Sequence, residues 1–195
     1  MSGAALRLTD VACLRGGRML FHGVNLTLGP GESALLTGSN GVGKSSLLRV
    51  CAGLLPAFAG TVDRRGGIAL ADERLALDMD LPLATALAFW AQLDEAGSNA
   101  VQAALDAMAL PRLADVPVRM LSTGQRKRAA LQQIASSGAA LWLLDEPFSG
   151  LDRERSAQWQ QQMRAAADAG TAVVFVSHEV LDSPPDRHLD WGAAC

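Results

Sequence analysis

Eight residues between a strand-like run and a helical run have the types and the spacing that bind phosphate. They fit the pattern G-x-x-x-x-G-K-[ST] and read Gly38-Ser39-Asn40-Gly41-Val42-Gly43-Lys44-Ser45. Glycines let the backbone curl so that successive N–H groups point inward at an anion. The helix that follows, which includes Ser46, adds the positive end of its dipole. We therefore predict that the segment 38–46 binds the phosphates of a nucleotide.

The last two residues of this loop have distinct predicted roles. Lys44 would contact the β- and γ-phosphates, and the Ser45 hydroxyl would coordinate Mg²⁺. The chain contains only two lysines, Lys44 and Lys127. One of them stands where a compact ammonium suits a phosphate better than a planar guanidinium does. The alternative is a glycine-rich turn before an ordinary helix.

A second candidate group consists of two acids after the apolar run 141–144. Asp145 and Glu146 stand where a buried strand would end, and ligands of open α/β sheets gather at that edge. Buried acids at this place require a cation or water nearby. We predict that Asp145 holds Mg²⁺, largely through water, and that Glu146 polarises the water that attacks the γ-phosphate. The alternative is an exposed strand end with helix-capping acids.

The elements that must position these groups follow from the alternation of apolar runs. Strands are predicted at 6–13, 19–28, 33–37, 60–62, 68–71, 141–144 and 171–176. Helices are predicted at 46–54, 85–94, 101–110, 126–136 and 153–167. Short strands that alternate with helices imply a parallel sheet wrapped by helices. The helical stretch 82–120 interrupts this alternation, and we interpret it as a lobe inserted into an α/β core.

Composition limits the class of protein. A chain of 195 residues with 49% hydrophobic residues fits one domain with a sizeable core. We expect neither a membrane span nor a signal peptide, since no apolar run and no basic leader has the required form. The net charge of −3 gives no support for nucleic-acid binding. Three distant cysteines, Cys13, Cys51 and Cys195, suggest neither a disulfide framework nor zinc and fit a reducing cytoplasm.

Three further motifs carry a resemblance to a known family. The run Leu121-Ser122-Thr123-Gly124-Gln125 resembles the LSGGQ signature of the nucleotide-binding domains of ABC ATPases. Ser149-Gly150-Leu151-Asp152 resembles their D-loop, and His178 resembles their switch histidine. The motifs come in the family's order and cover nearly the whole chain. The resemblance implies a P-loop NTPase core of mainly parallel sheet, about 1–72 and 134–195. An N-terminal antiparallel β region and a helical lobe at about 73–133 would complete one α/β domain, 1–195.

The resemblance also implies an activity. The chain would hydrolyse ATP with Mg²⁺, using Lys44, Glu146 and His178. The signature residues Ser122, Thr123, Gly124 and Gln125, with the D-loop Asp152, would act on ATP held by a second copy of the chain. Ser122 and Gly124 open a predicted helix, so their N–H groups suit an anion; the alternative is a plain serine N-cap. We expect Arg126, Lys127 and Arg128 to form a solvated face without chemistry.

A narrower resemblance is to the ATPase subunit of cytochrome c maturation (haem exporter) complexes. It rests on the short length of the chain, on the residues of the run 13–21, on Phe89-Trp90, and on the amino-acid sequences of 38–41 and 145–148. It implies a peripheral subunit on the cytoplasmic face of the inner membrane that binds an integral membrane partner. That subunit would drive haem export or release of a haem chaperone. Arg15 falls near the slot for adenine, where it either stacks on the base or is a solvated turn arginine. We identify no haem ligand, because His22, His178 and His188 are isolated.

One departure from the family pattern bears on the metal site. ABC ATPases place a glutamine after the strand 68–71, whereas this chain has Glu73 nearby. Glu73 is the candidate substitute and could ligate Mg²⁺ as a hard oxygen donor. Other functions remain open: the ATPase of another small-substrate exporter, a soluble ABC ATPase that works on nucleic acid or ribosomes, and a non-hydrolysing ATP-binding module.

Overall fold

The structure of the chain, a computed structural model, describes residues 5–72, 76–94, 97, 99–179, 181 and 183–191. The strands are β1 (Leu6–Arg15), β2 (Arg18–Leu28), β3 (Ser33–Thr37), β4 (Ala59–Arg64), β5 (Ile68–Ala71), β6 (Leu141–Asp145), β7 (Ala172–Val176) and β8 (Arg187–Asp190). The helices are α1 (Lys44–Ala52), α2 (Leu83–Leu93), α3 (Ala100–Ala107), α4 (Thr123–Ser136) and α5 (Arg153–Asp168). Two 3₁₀ turns, Pro111–Leu113 and Val118–Met120, lie between α3 and α4.

The strands form two sheets. An antiparallel sheet has the order β2-β1-β4, and a parallel sheet has the order β5-β6-β7-β3-β8. The central strands β6 and β7 are buried along their whole length, which explains their continuous apolar sequences. On β2, Val24, Leu26 and Leu28 alternate with exposed residues and point into the core. The predicted division into an antiparallel region and a parallel core is confirmed.

Apolar side chains form three clusters that correspond to the layers of the fold. One cluster joins the antiparallel sheet, α1 and one face of the parallel sheet. A second lies between the other face and the helices α4 and α5. A third holds α2, α3 and the 3₁₀ turns together and includes Ala129 of α4. Because Leu131 and Ile134 of α4 belong to the second cluster, this helix packs in both the helical lobe and the core.

Several boundaries differ from the sequence predictions. Helix α4 begins at Thr123 rather than at 126, because Ser122 and Gln125 form a reciprocal capping box. Helix α1 begins at Lys44 and ends at Ala52, and Gly53 caps it with a left-handed φ of 79°. Strand β8 was not predicted, because it is only four residues long and three of these residues are polar and exposed.

Two expectations from composition can be compared with the described residues. Cys13 and Cys51 are free, buried thiols, and Cys195 lies outside the described residues. None of the helices in the described ranges is both long and apolar enough to cross a bilayer.

Candidate active site

The site lies at the carboxyl edge of the parallel sheet, where the three neighbouring strands β3, β7 and β6 end at nearly the same position in the register. In the register, Leu36 of β3 pairs with Val176 of β7, and Val176 pairs with Asp145 of β6. The phosphate loop, His178 and Glu146 therefore leave the sheet side by side. They face a cleft of about 710 Å³, which is lined by Arg15, Leu20, Asn40, Gly41, Gly43, Lys44, Ser45, Ser46, Asp145, Glu146, Ser149, Val176 and His178.

The phosphate loop surrounds the side chain of Lys44. Its ammonium donates hydrogen bonds to the carbonyls of Gly38, at 2.6 Å, and Ser39, at 3.0 Å. The side chain is only 7% exposed, so the loop holds a fixed cation beside the start of α1. Gly41 and Gly43 have φ values of 81° and 111°, which L-residues with side chains rarely adopt. Ser39 and Val42 belong to the same loop but do not line the cleft.

The acidic pair divides into a buried and a half-exposed carboxylate. Asp145 is 7% exposed at the end of β6. Glu146 has a positive φ of 47°, and its N–H donates to the carbonyl of Val176 at 3.1 Å. This backbone conformation directs the chain away from the sheet. It leaves the Glu146 carboxylate 3.4 Å from Nε2 of His178.

The surroundings of Glu146 raise its pKa above the usual value. Removal of the carboxylate from water is the largest cause, and the charge of Asp145 acts in the same direction. The charges of His178, Lys44 and Lys127 oppose this increase. A general base is most effective when its pKa is raised toward the working pH. The environment of Glu146 therefore suits a group that accepts a proton from water.

The oxygen donors at the cleft fit Mg²⁺ bound together with phosphates. Mg²⁺ in nucleotide sites is held by one or two protein oxygens, the phosphates and water. The Ser45 hydroxyl and the buried Asp145 carboxylate supply such oxygens on the same cleft. Among the described residues, no group of three His, Cys, Asp or Glu side chains could hold a metal alone. The candidate ligand Glu73 lies outside the described residues.

Lys127 contacts the acidic pair, although we expected it to be solvated. Its ammonium donates a hydrogen bond to the main-chain carbonyl of Asp145 at 3.2 Å, and its charge lowers the pKa of Glu146. Arg126, Lys127 and Arg128 are all half-buried rather than fully exposed. The prediction of a solvated residue without chemistry is therefore wrong for Lys127, whose ammonium contacts the main chain at the acidic pair. The rarity of lysine in the chain was the signal that could have found Lys127.

Arg15 lies at the end of β1 and lines the cleft together with Leu20. Its cross-strand partner Arg18 closes the hairpin between β1 and β2. Sequence reasoning missed Leu20, Ser149 and Val176 as lining residues. Leu20 and Val176 are apolar and carry no motif, and Ser149 was considered only as the start of the D-loop motif. Only the folded sheet brings the three to the cleft.

The lining of this cleft includes Ser149, the first residue of the D-loop, but none of the signature residues and no other D-loop residue. Ser122 caps α4, and its hydroxyl accepts the Gln125 N–H at 3.2 Å. Gly124 packs so closely on the D-loop that a Cβ there would lie 2.9 Å from the Gly150 carbonyl oxygen. Asp152 caps α5 by accepting the Arg155 N–H at 2.8 Å. Thr123 is exposed in the first turn of α4. The two motifs thus form one surface beside the cleft.

Comparison with known proteins identifies the family of the chain. A family profile described as ABC transporter matches residues 21–149. The chain belongs to the ABC transporter family, and the resemblance drawn from its motifs is confirmed.

Curated relatives indicate a narrower group within this family. The chain is 55% identical over 181 residues to the cytochrome c biogenesis ATP-binding export protein CcmA of Novosphingobium aromaticivorans, covering 93% of this chain and 92% of that protein. It is 50% identical to the protein of the same name from Sphingopyxis alaskensis, covering 96% of each. The narrower resemblance, to ATPase subunits of cytochrome c maturation, is thereby confirmed as well.

Solved structures share the fold. An ABC transporter ATP-binding protein from Pyrococcus furiosus superposes with a TM-score of 0.83 at 19% identity, covering 97% of this chain and 98% of that one. An ATP-binding subunit of an ABC transporter superposes with a TM-score of 0.80 at 21% identity, covering 89% and 79%. The predicted P-loop ABC ATPase fold is confirmed.

Proposed function

We propose that the chain is the ATP-hydrolysing motor subunit of a membrane ABC transporter complex in c-type cytochrome biogenesis. One observation supports the ATPase function above all. At the carboxyl edge of the parallel sheet, four side chains face one cleft: Lys44, Asp145, Glu146 and His178. The relatives named cytochrome c biogenesis ATP-binding export protein support the biological role. A non-hydrolysing module is disfavoured, because such a module has no use for a glutamate with a raised pKa beside a histidine.

Each residue has a defined task in the proposed reaction. Lys44 and the N–H groups of the loop bind the β- and γ-phosphates. Arg15, which lines the same cleft, would stack on the base. Ser45 and Asp145 are the residues that would hold Mg²⁺, which neutralises phosphate charge when bound. Glu146 orients the attacking water and accepts its proton, and His178 fixes the Glu146 carboxylate. The half-exposed state of Glu146 leaves room for that water.

We further propose that two copies of the chain enclose two ATP molecules. The capping box engages the N–H groups of Ser122 and Gln125. The N–H groups of Thr123 and Gly124, in the first turn of α4, have no carbonyl acceptor within the helix and lie at the positive end of its dipole. Because this surface lies outside the chain's own cleft, it suits the γ-phosphate of ATP bound by a partner copy. Asp152 stands on the same surface and would contact the partner's phosphate loop.

The place of the protein in the cell follows from the same proposal. The subunit would act through an integral membrane partner at the cytoplasmic face of the inner membrane, which the relatives named as export proteins support. The cargo-handling step would be haem export or release of a haem-loaded chaperone. His188 lies on β8, where its Nε2 and the Thr37 hydroxyl share a hydrogen bond of 2.8 Å.

Substitution of Glu146 by Gln tests the motor function. The amide cannot accept the proton, so we expect at least a 100-fold loss of ATP hydrolysis, in line with the usual 10²–10⁴ contribution of a general base. ATP binding should persist, and a stable ATP-bound dimer should appear in size-exclusion chromatography. Lys44→Ala is the matched control, because it should lose both binding and the dimer. Equal hydrolysis by Glu146→Gln and the wild type would contradict the assignment.

The cytochrome role requires a separate test. Purification of the tagged wild-type chain from membranes should recover an integral membrane protein, and deletion of the gene should abolish covalent haem attachment to c-type cytochromes. Complementation by wild type but not by Glu146→Gln would link that loss to hydrolysis. Normal haem attachment in the deletion strain would favour the alternative of another small-substrate exporter.

A further inference from the structure

The floor of the phosphate loop is built by a residue that no motif includes. Trp191 directly follows β8, whose Asp190 pairs with Thr37 at the end of β3. The Trp191 side chain is 1% exposed, and its backbone N–H donates to the Thr37 carbonyl at 2.9 Å. This places the indole under the loop at the point where the loop leaves the sheet.

Trp191 contacts the loop at its start and near its middle. The indole Nε1–H donates to the Val42 carbonyl at 2.9 Å. At the start of the loop, a Cβ on Gly38 would lie only 2.6 Å from Cβ of Trp191. Gly38 has a φ of 139°, so the glycine is required by both its backbone conformation and its contact with the tryptophan. The loop therefore rests on Trp191 over most of its length.

The hydrogen bond to Val42 has a consequence for phosphate binding. In a trans peptide the carbonyl of one residue and the N–H of the next point in opposite directions. Because the Val42 carbonyl points down to the indole, the Gly43 N–H points up, and Gly43 lines the cleft. Trp191 thus determines which way a phosphate-binding N–H group is directed.

Phe21 completes the floor. Its ring meets the Trp191 ring edge to face, with centroids 5.2 Å apart and an interplanar angle of 79°. A Cβ on Gly43 would lie 3.0 Å from Cδ1 of Phe21, so this ring supports the far end of the loop. Phe21 is itself 1% exposed. The two rings form a rigid platform that joins the antiparallel sheet, through β2, to the carboxyl edge of the parallel sheet.

We propose that Trp191 is a positioning residue for nucleotide binding, which acts by holding the Val42 carbonyl and so aiming the Gly43 N–H at the phosphates. The proposal rests on the nucleotide site proposed above and does not depend on the identity of the transporter. Trp191 itself does not touch the nucleotide, since it lies beneath the loop.

The test is Trp191→Phe, which keeps an aromatic ring against Phe21 and removes the N–H donor. Loss of one hydrogen bond should raise the dissociation constant for MgATP roughly 3- to 10-fold. The turnover number at saturating ATP should stay near that of the wild type, because Glu146 and His178 are unchanged. Hydrogen exchange of the segment 38–46, followed by mass spectrometry without nucleotide, should become faster.

Trp159→Phe is a matched control. Trp159 is also buried, at 5% exposure, and its Nε1 has no hydrogen-bond partner within the described part of the chain. Its replacement removes the same atoms without the loss of a bond to the loop. The control variant should bind MgATP like the wild type and show unchanged exchange at 38–46.

The outcomes separate the two proposals. Failure of the wild type to bind MgATP would overturn the nucleotide site itself. Wild-type affinity and wild-type exchange in Trp191→Phe would overturn the role of Trp191 alone. A parallel loss in Trp191→Phe and Trp159→Phe would also overturn it, because the effect would then be one of general stability. Should Trp191→Phe be less stable, the exchange experiment at low temperature still compares the loop in the two folded variants.

Discussion

Gly38→Ala provides the sharpest test of how closely the phosphate loop rests on its floor. The new methyl group would lie 2.6 Å from Cβ of Trp191 and 3.5 Å from Cγ2 of Val42. The first distance is far inside van der Waals contact, and Cβ of a buried tryptophan cannot rotate away. Gly41→Ala is the matched comparison, since Gly41 has a φ of 81° and nothing lies within 4 Å of an added Cβ.

The expected difference can be worked from these distances. Gly41→Ala places a side chain in a left-handed conformation that costs about 1–2 kcal/mol for L-residues. Gly38 has a φ of 139°, outside that region, and we take the cost there as at least as large. Only Gly38→Ala adds overpacking, which costs about another 1–3 kcal/mol. For a chain of this length, 1 kcal/mol shifts the unfolding temperature by about 2–4 °C. Gly38→Ala should therefore unfold about 2–12 °C below Gly41→Ala.

Thermal unfolding of the nucleotide-free proteins, followed by circular dichroism at 222 nm, measures this difference without interference from ATP binding. The wild type, Gly38→Ala and Gly41→Ala should be compared in one buffer and at one scan rate. Equal unfolding temperatures of the two variants would refute the reasoning, because the collision with Trp191 would then be absent. A lower unfolding temperature for Gly41→Ala would refute it as well.

Two further predictions concern charge. Lys127→Met should raise the pKa of Glu146 further, because the Lys127 charge opposes the upward shift. The acidic limb of the ATPase pH–rate profile should therefore move to higher pH. Lys127→Arg retains the positive charge and should leave this limb at the wild-type pH. An unmoved limb in Lys127→Met would contradict the coupling. Asp186→Asn should lower stability by about 1 kcal/mol at neutral pH, since the exposed Asp186 carboxylate accepts both the N–H and the hydroxyl of Ser33. These hydrogen bonds depress the pKa of Asp186, so its contribution should be complete above the unfolded value of about 3.9 and be lost as the pH falls through the folded value. Urea unfolding of Asp186→Asn and wild type at pH 7 and pH 3 checks this, and an equal difference at both pH values would contradict it.

The sequence predicts those parts of the site that depend on local patterns. The phosphate loop has a fixed spacing, and the acids after β6 follow an uninterrupted apolar run, so both can be placed before the fold is known. The strand order cannot be read in the same way. Nevertheless, motifs that lie far apart in the chain must meet if short parallel strands alternate with helices. This reasoning predicts that the two motifs meet at the carboxyl edge, and in the structure both lie there.

The parts that escaped prediction depend on contacts between distant residues. Strand β8 is short and polar, and only pairing with β3 makes it a strand. Trp191 carries no motif, and its role becomes visible only when its indole is found against the Val42 carbonyl. Lys127 was predicted to be solvated because it stands between two arginines in the sequence. Its ammonium instead reaches the main-chain carbonyl of Asp145 on β6. Glu73 remains a prediction, since it lies outside the described residues.

The position of β3 in the sheet has a consequence for synthesis of the protein on the ribosome. The neighbours of β3 are β7 and β8, which are made more than a hundred residues after the loop that follows β3. A growing chain therefore carries a complete phosphate-loop sequence long before the strands and the tryptophan that support it exist. Contacts of such long range form late. Nucleotide binding should thus begin only once residue 191 has emerged, so that an unfinished chain does not capture ATP.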